Sequence, residues 1–285
     1  MYIYATASHG PPRPGKGPGG QRRVQAVLVV LKYGGNAMAA ARDDPVLDEV
    51  AALAARGERV VLVHGGGPQI DAELRAKGIV EERLAGLRVT GAASRDIVEY
   101  VLCGSVNKAL VRALAARGAR AVGISGEDGG LLQARRAAPV DGHDLGFVGT
   151  IERVDARALT ALLEAGFVAV VAPLALDRDG NALNCNADTA AGAIAGALRA
   201  DAYVVITDVP GVRRDLNDPG SVIARLSVAE ADALFVAGTF SGGMIPKMEA
   251  AIAAVRNGAR RAVVAGAGPG AINAAMRGTG TEIVP

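Results

Sequence analysis

Residues 27–36 read VLVVLKYGGN, and residues 59–68 read RVVLVHGGGP. Each stretch contains an unbroken run of Val and Leu, followed by polar or aromatic residues and then by glycines. Such runs are typical of strands that are buried on both faces of a parallel sheet. The glycines leave backbone N–H groups open to an anion at the carboxyl ends of these strands. The two stretches therefore predict a parallel sheet with a candidate site beyond its strand ends.

The same alternation of short Val/Ile/Leu runs with longer Ala-rich amphipathic stretches continues along the chain. It is the pattern of βα units around a mainly parallel sheet, so the predicted fold class is α/β. The predicted strands are Val27–Lys32, Arg59–His64, Arg120–Ile124, Val168–Ala172, Ala202–Thr207 and Arg261–Ala265. The predicted helices are Pro45–Arg56, Pro68–Lys77, Ser94–Arg117, Ala156–Ala165, Ala187–Leu198 and Met244–Asn257.

The overall composition argues against several classes of partner. The chain has 285 residues, of which 50% are hydrophobic, 31 are basic and 29 are acidic, and aromatic residues make up only 3%. This even charge balance provides no field that would attract nucleic acid or an anionic membrane, and few rings are present to stack on bases. We therefore expect small-molecule substrates, no nucleic acid and no membrane partner.

Cysteine usage and the N-terminal residues bear on location. Cys103 and Cys185 are far apart and have the spacing of neither a disulfide framework nor a zinc site. No apolar run reaches the ~20 residues that span a bilayer, and residues 1–10 lack the apolar core of a secretory signal. We therefore expect a cytoplasmic protein without a protein-held metal.

Residues 10–23, GPPRPGKGPGGQRR, differ in composition from the rest of the chain. Pro, Gly and Arg dominate and no apolar period is present, so we predict a disordered tail over residues 1–23 and a domain that begins near Val24. The stretch from Gly10 to Lys16 resembles part of a P-loop. However, Gly17 stands where a P-loop requires Ser or Thr, and no strand precedes it, so we assign no phosphate to this stretch.

Two of the predicted strands end in glycine-rich turns. In the first turn, Lys32 precedes Gly34 and Gly35, which would let a phosphate approach the backbone while the lysine supplies positive charge. A tight turn with a solvated lysine would explain these residues equally well.

In the second turn, Gly65–Gly67 lead into a helix that begins with proline, an arrangement suited to binding an anion. We interpret His64, before these glycines, as a buried structural residue rather than a catalyst.

The segment NCNAD at residues 184–188 concentrates polar side chains. In extended backbone, Asn184, Asn186 and Asp188 would share one face and Cys185 would lie on the other. The alternative is a helix N-cap, which Asp188 could provide by itself. Since a cap does not need both asparagines, we favour a site in which Asp188 orients nearby lysines.

Two further segments follow the last long strands. Residues 207–211, TDVPG, predict a loop suited to a nucleotide base and ribose. Residues 242–247, GGMIPK, predict a helix that begins at Gly243 and presents Lys247 in its first turns. A plain loop followed by a surface lysine is the alternative interpretation.

Taken in this order, the motifs KYGGNAM, HGGGPQI, GLRVT, NCNADTAAGA, TDVPG and GGMIPK make the chain similar to the amino acid kinase family, and most of all to its acetylglutamate kinase branch. The resemblance runs from about Val27 to Val284 and includes the closing GTEIV. It implies an open three-layer αββα sandwich without a P-loop. It also implies one kinase domain over residues 24–285, with a substrate lobe at 24–180 and a nucleotide lobe at 181–285.

The resemblance further implies roles for individual residues. Lys32 and Lys247 would contact the transferred phosphoryl group, and Asp188 would position both lysines. The implied substrate-binding residues are Gly66, Gly67, Arg88, Asn184 and Asn186. The implied nucleotide-binding residues are Gly34, Gly35, Asp208, Val209, Pro210, Gly211, Val212, Arg213, Thr239, Phe240, Ser241 and Gly243.

The implied reaction transfers the γ-phosphoryl group of ATP, with Mg2+ held mainly by the nucleotide phosphates, to the side-chain carboxylate of N-acetyl-L-glutamate. This is the second step of arginine biosynthesis. A side-chain carboxylate has a reference pKa near ~4.3, so the nucleophile is ionised at neutral pH and needs no general base. Arg88 would suit the α-carboxylate of the substrate because a planar guanidinium binds a carboxylate bidentately. Glu127 and Gly91 differ from residues common in this family, but neither has an assigned role.

Regulation and assembly can also be compared with the family. The N-terminus lacks an amphipathic helix, and residues 269–278 lack the acidic and histidine pattern shared by arginine-inhibited members. We therefore expect no inhibition by arginine and a homodimer. The alternatives are a kinase for an aminoadipate or glutamate linked to a carrier protein, another carboxylate or carbamate kinase, and a non-catalytic nucleotide-binding protein of the same fold. Retention of Lys32, Lys247 and Asp188 argues against the last alternative.

Overall fold

The computed structural model describes residues 26–34, 44–80, 82–84, 86–215, 218 and 220–285. The predicted tail, the predicted domain start at Val24, and Gly35 of the first glycine turn lie outside the described residues. In the part of the chain that is described, no helix combines the length and the apolar character needed to span a membrane.

The main sheet has eight strands, and its interior consists of the apolar runs seen in the sequence. All of its neighbouring pairs are parallel except β13 with β14. From one edge to the other, the order is β12 (Arg225–Ser227), β14 (Thr281–Val284), β13 (Ala262–Gly266), β11 (Ala202–Thr207), β1 (Leu28–Tyr33), β2 (Arg59–His64), β8 (Val168–Ala172) and β5 (Ala121–Ser125). The six predicted strands are confirmed, each within one residue of its predicted bounds, and so is the mainly parallel sheet of an α/β fold.

Helices cover both faces of this sheet. They are α1 (Pro45–Ala55), α2 (Gly67–Ala76), α3 (Ala92–Glu99), α4 (Asn107–Ala116), α5 (Arg157–Glu164), α6 (Ala187–Ala197), α7 (Val228–Val236), α8 (Met244–Arg256) and α9 (Ala271–Met276). The alternation of side chains along β1 divides the core in two. Val30 packs in a cluster that includes residues of α5, α6 and α8. Its neighbours Val29 and Leu31 pack in a second cluster that includes residues of α1, α4 and α9.

The predicted helix Ser94–Arg117 contains an irregularity. Residues Tyr100–Val106 form a π-helical segment between α3 and α4, so the long helix is present but not uniformly α-helical. Directly after this segment, Asn107 is buried and its side chain reaches His64 at the end of β2. π-Helical segments are rare and occur often at functional sites. Here the segment lies next to the glycine turn that follows β2.

Several elements were not predicted. They are β12, β14, α7, α9, the hairpin of β3 (Arg83–Leu84) and β4 (Leu87–Arg88), and a second sheet in the order β10 (Ala182–Asn184), β9 (Leu174–Leu176), β6 (Leu132–Arg136) and β7 (Gly149–Val154). The strands of the second sheet and of the hairpin are short, and charged residues interrupt β6 and β7. They therefore lack the continuous apolar run that marks a strand buried on both faces.

Glu49 joins α1 to α9 across one face of the molecule. The carboxylate of Glu49 is buried and accepts hydrogen bonds from the backbone N–H of Ile272 (3.2 Å), the backbone N–H of Asn273 (2.9 Å) and Nδ2 of Asn273 (2.6 Å). N–H groups at the start of a helix have no partner within the helix, so the carboxylate supplies the cap that α9 lacks in its own sequence.

Replacing Glu49 with alanine should therefore lower the free energy of unfolding by about 2 kcal/mol, because buried backbone donors would lose a charged acceptor. Urea denaturation followed by circular dichroism measures this change. The matched control is Glu164→Ala, which removes an exposed glutamate from α5 and should change stability by less than about 0.5 kcal/mol. Equal effects of the two substitutions would contradict a capping role for Glu49.

Candidate active site

Two lysines and one aspartate from three different elements meet at the carboxyl edge of the main sheet. Lys32 lies near the end of β1, Asp188 in the first turn of α6, and Lys247 in the second turn of α8. The Nζ of Lys32 is 3.3 Å from Oδ1 of Asp188, and the Nζ of Lys247 is 3.4 Å from Oδ2. The arrangement predicted from the resemblance, in which Asp188 holds both lysines, is therefore present in the structure.

Close packing of α6 on α8 places Asp188 beside Lys247. A β-carbon on Gly192 of α6 would lie only 2.7 Å from the carbonyl oxygen of Ala250 in α8. Likewise, a β-carbon on Gly196 would lie 2.8 Å from the β-carbon of Asn257. The small residues of α6 thus permit an approach that larger side chains would prevent. The start of α6 is also fixed from below, since the hydroxyl of Tyr203 donates to the carbonyl oxygen of Asp188 at 2.9 Å.

The electrostatics of this group follow from its burial. Lys32 and Asp188 are only 6% and 5% exposed. Burial lowers the pKa of Lys32, the nearby charge of Lys247 lowers it further, and the attraction of Asp188 opposes both effects. Two ammonium groups and one carboxylate leave the group with an excess of positive charge. Such a group can bind an anion such as a phosphoryl group.

The structure corrects the interpretation of residues 184–188. Asn184 ends β10, whereas Asp188 already lies in α6, so the three polar side chains do not share one face of an extended segment. The N-cap of α6 is Asn186, whose Oδ1 accepts from the backbone N–H groups of Asp188 (2.8 Å) and Thr189 (3.1 Å). The alternative of a helix N-cap in this segment is therefore confirmed, but the cap is Asn186 and not Asp188. Asn186 instead leaves the carboxylate of Asp188 available to the lysines.

A cavity of about 440 Å³ opens beside the two lysines. Its walls include all of the predicted nucleotide-binding residues except Pro210 and Gly35, and the latter lies outside the described residues. The complete lining is Lys32, Gly34, Ile206, Thr207, Asp208, Val209, Gly211, Val212, Arg213, Thr239, Phe240, Ser241, Gly243, Met244 and Lys247. Ile206, Thr207 and Met244 were not predicted, although each directly adjoins a predicted residue or motif.

A second group of polar residues gathers around the hairpin of β3 and β4. Arg88 of β4 is buried, and its Nη2 donates to the carbonyl oxygen of Gly67 at 3.3 Å and also contacts the carboxylate of Asp71. The Nδ2 of Asn184 donates to Oγ1 of Thr90 at 3.2 Å, directly beyond β4. Arg88, Gly67 and Asn184 are thus linked through this hairpin. The sequence analysis gives no role to Asp71, which directly follows the HGGGPQI motif, or to Thr90, the last residue of the GLRVT motif.

The two glycine turns lie against one another. A β-carbon on Gly34 would be 2.8 Å from the backbone nitrogen of Gly65, closer than such atoms approach in proteins. The N–H of Gly65 in turn donates to the carbonyl oxygen of Tyr33 at 2.9 Å. Gly34 lines the cavity, and Gly65 precedes the predicted substrate-binding residues Gly66 and Gly67. The cavity and the second turn therefore adjoin through backbone alone.

His64 lies beneath the second glycine turn and is fully buried. Its Nδ1 is 2.8 Å from the carbonyl oxygen of Gly65, and its Nε2 is 3.2 Å from Nδ2 of Asn107. Because a carbonyl only accepts and an amide nitrogen only donates, Nδ1 carries the proton and Nε2 accepts. Burial lowers the pKa of His64 to about 4, so its ring is neutral at physiological pH. The structure thus agrees with a structural role for this histidine.

The donor set gives no indication of a metal held by the protein. Among the described residues, no three His, Cys, Asp or Glu side chains are grouped so that they could hold a metal ion. The two oxygens of Asp188 face ammonium groups instead. The side chains of the described residues therefore do not form a site in which the protein alone would hold a metal ion.

The buried His64 makes stability depend on pH. Because the pKa of His64 in the folded protein, about 4, lies below its ordinary value of 6.5, the unfolded chain binds a proton first as the pH falls. The contribution of neutral His64 to the free energy of unfolding is complete above pH 6.5 and should decrease by about 3 kcal/mol as the pH approaches 4. Urea denaturation at a series of pH values should show a steeper loss for the wild type and for the control His143→Gln, which changes an exposed histidine, than for His64→Gln. Parallel curves for all three proteins would contradict this assignment.

Comparisons with known proteins agree with the fold. The model of the amino acid kinase family matches residues 27–266. Acetylglutamate kinase of Methanopyrus kandleri is 48% identical over 240 residues, which cover 83% of this chain and 94% of that protein. Acetylglutamate kinase of Gluconobacter oxydans is 46% identical over 253 residues, which cover 85% of each chain.

Solved structures extend the comparison to more distant proteins. N-acetylglutamate synthase from Neisseria gonorrhoeae superimposes with a TM-score of 0.79 at 26% identity, over 93% of this chain and 61% of the synthase, so this chain spans less than two thirds of that protein. Carbamate kinase from Giardia lamblia has a TM-score of 0.63 at 19% identity, over 91% of this chain and 99% of that one, which shows a common fold alone. With a family model spanning residues 27–266 and relatives at 46–48% identity over most of its length, the chain belongs to the amino acid kinase family.

Proposed function

We propose that this chain transfers the γ-phosphoryl group of ATP to the side-chain carboxylate of N-acetyl-L-glutamate, a step of arginine biosynthesis. The observation that carries the proposal is the pair of lysines, Lys32 and Lys247, held by Asp188 where the cavity meets the glycine turns. The name shared by the relatives at 46–48% identity, acetylglutamate kinase, supports this choice of substrate.

In this proposal ATP occupies the cavity of about 440 Å³, whose volume lies within the range of about 300–1,000 Å³ usual for ligand pockets. The loop of residues 208–213 and the loop of residues 239–241 would hold the base and ribose, and Gly34 would adjoin the phosphates. Mg2+ would be bound by the nucleotide phosphates and would help to neutralise their charge.

The acceptor would lie on the other side of the contact between Gly34 and Gly65. The backbone N–H groups of Gly66 and Gly67 would face its reacting carboxylate, Arg88 would bind its α-carboxylate, and Asn184 would lie beside it. We do not assign Asn186 a direct contact with the acceptor, because its side-chain oxygen caps α6. Its contribution would be to fix the position of Asp188.

The proposed reaction requires the protein mainly to position the two substrates and to neutralise the charge of the transferred phosphoryl group. The acceptor carboxylate is ionised at neutral pH and can attack without a general base. Asp188 is held between two ammonium groups, so we assign it the orientation of the lysines and not proton transfer. Lys32 and Lys247 would then neutralise the negative charge that moves between the two substrates during transfer.

We further propose a cytoplasmic homodimer that is not inhibited by arginine. The proposal for the cytoplasm draws on Cys103 and Cys185, which are free thiols in the structure. The proposals for assembly and regulation rest on the composition of residues 10–23 and of residues 269–278. A light-scattering mass equal to six chains would contradict the dimer.

ATP turnover measured with hydroxylamine, which traps acyl phosphates as hydroxamates, tests the reaction. We expect hydroxamate with N-acetyl-L-glutamate, little with glutamate, aspartate or N-acetyl-aspartate, and the same rate with and without arginine. A signal with none of these acids would contradict the proposal. It would favour a kinase for a carrier-linked substrate or a protein that binds nucleotide without catalysis.

Substitution of either lysine tests the assigned site. Lys32→Ala and Lys247→Ala should each lower kcat by about 10²–10³-fold, the usual cost of removing a group that stabilises transition-state charge. The matched control is Lys77→Ala, which removes an exposed lysine paired with Glu73 on α2 and should leave kcat unchanged. Circular dichroism establishes that each variant is folded. A folded Lys32 or Lys247 variant with wild-type turnover would overturn the role given to that lysine.

A further inference from the structure

Asp71 belongs to the group of polar residues around the hairpin of β3 and β4, although its sequence context predicts no role for it. It lies on α2, one helical turn after Gly67, so its carboxylate and the carbonyl oxygen of Gly67 lie on the same helix face. Both groups accept from Nη2 of Arg88. Asp71 also accepts from Nη2 of Arg83, at 3.2 Å to Oδ1 and 3.4 Å to Oδ2. One carboxylate is therefore shared by two arginines.

The two arginines come from opposite strands of one hairpin. Arg83 of β3 and Arg88 of β4 are directly paired in the antiparallel register. Like charges placed opposite one another destabilise a two-stranded ribbon, and so short a hairpin has little other stabilisation. The carboxylate of Asp71 offsets this repulsion and at the same time ties the hairpin to the start of α2.

The two ion pairs differ in exposure. The side chain of Arg88 is only 5% exposed, whereas that of Arg83 is 45% exposed. A buried guanidinium needs a close counter-charge, while a solvated one is stabilised by water. The buried pair of Asp71 with Arg88 is therefore stronger than the solvated pair of Asp71 with Arg83, and it fixes the orientation of Arg88. Arg83 contributes mainly charge.

We propose that Asp71 is a positioning residue that makes this site selective for a substrate with a free α-carboxylate. The proposal rests on the proposed function and deepens it. Asp71 and the carbonyl of Gly67 hold one edge of the planar Arg88 fork, which fixes the direction of the rest of the guanidinium.

Two substrates that differ only at the α-carboxyl group test this selectivity. One is N-acetyl-L-glutamate, and the other is its α-amide, in which a neutral amide replaces the α-carboxylate and the side-chain carboxylate is unchanged. For the wild type we expect kcat/KM to favour the acid by about 10²-fold. In Asp71→Asn, KM for the acid should rise about tenfold or more while kcat and KM for ATP change by less than about threefold, and the preference for the acid should fall about tenfold.

Asp96→Asn is the matched control, because it also neutralises an ion-paired aspartate of a neighbouring helix, α3, but one that is exposed. Its preference should equal that of the wild type. Asp71→Glu keeps the charge and displaces the carboxylate by one methylene, so it should shift the preference by an intermediate amount. This variant also tests the proposal if Asp71→Asn does not accumulate as a folded protein.

The outcomes separate this inference from the function on which it rests. A wild type that forms no hydroxamate with N-acetyl-L-glutamate would overturn both. An active wild type whose preference is unchanged in the Asp71 variants would overturn this inference alone and leave Asp71 a purely structural residue. A lower KM for the acid in Asp71→Asn would also overturn it, since Asp71 would then compete with the substrate for Arg88.

Discussion

The buried carboxylate of Asp188, held between two ammonium groups, is the interaction on which the rest of the site depends. Taking a carboxylate out of water is costly unless cations and hydrogen bonds compensate for the lost hydration. The compensating lysines come from β1 and α8, and the carboxylate comes from α6. The site therefore exists only when α6 and α8 pack closely over the central strand. The glycines of α6 that allow this contact are as necessary to the site as the charged residues themselves.

The same design occurs twice in the molecule. Around Asp188 and around Asp71, one carboxylate pairs with two cations. In the proposed reaction each pair of cations lies beside an anion, the phosphoryl group at Asp188 and the α-carboxylate of the acceptor at Asp71. A carboxylate in such a place need not transfer protons. It keeps flexible cationic side chains in one geometry before the substrate arrives, which reduces the cost of ordering them during binding.

The parts of the fold that could be predicted are those whose sequence pattern follows directly from burial. Strands such as β1 and β8 lie between two layers of helices, so nearly every residue is apolar and their limits can be recognised. Strands β6 and β7 of the second sheet have one exposed face and polar residues, as in the LQARR of β6, and such short segments resemble loops. For the site, Lys32, Asp188 and Lys247 could be located because recurring motifs carry them. Asp71 could not, since its importance comes from contacts with a hairpin more than ten residues away, and the sequence does not reveal that register.

The contact between Gly34 and Gly65 joins the proposed nucleotide cavity to the glycine turn at which the acceptor would bind. No side chain fits at this contact, because even a methyl group on Gly34 would meet the backbone of Gly65. In the described part of the chain, the atoms that meet at this contact are backbone atoms, whose positions are fixed by β1, β2 and the buried His64. In the proposed reaction the phosphoryl group passes from ATP to the acceptor beside this contact. Rigid backbone next to cations that Asp188 holds in place favours alignment of the reacting atoms. This alignment is the main requirement for phosphoryl transfer to a nucleophile that is already ionised.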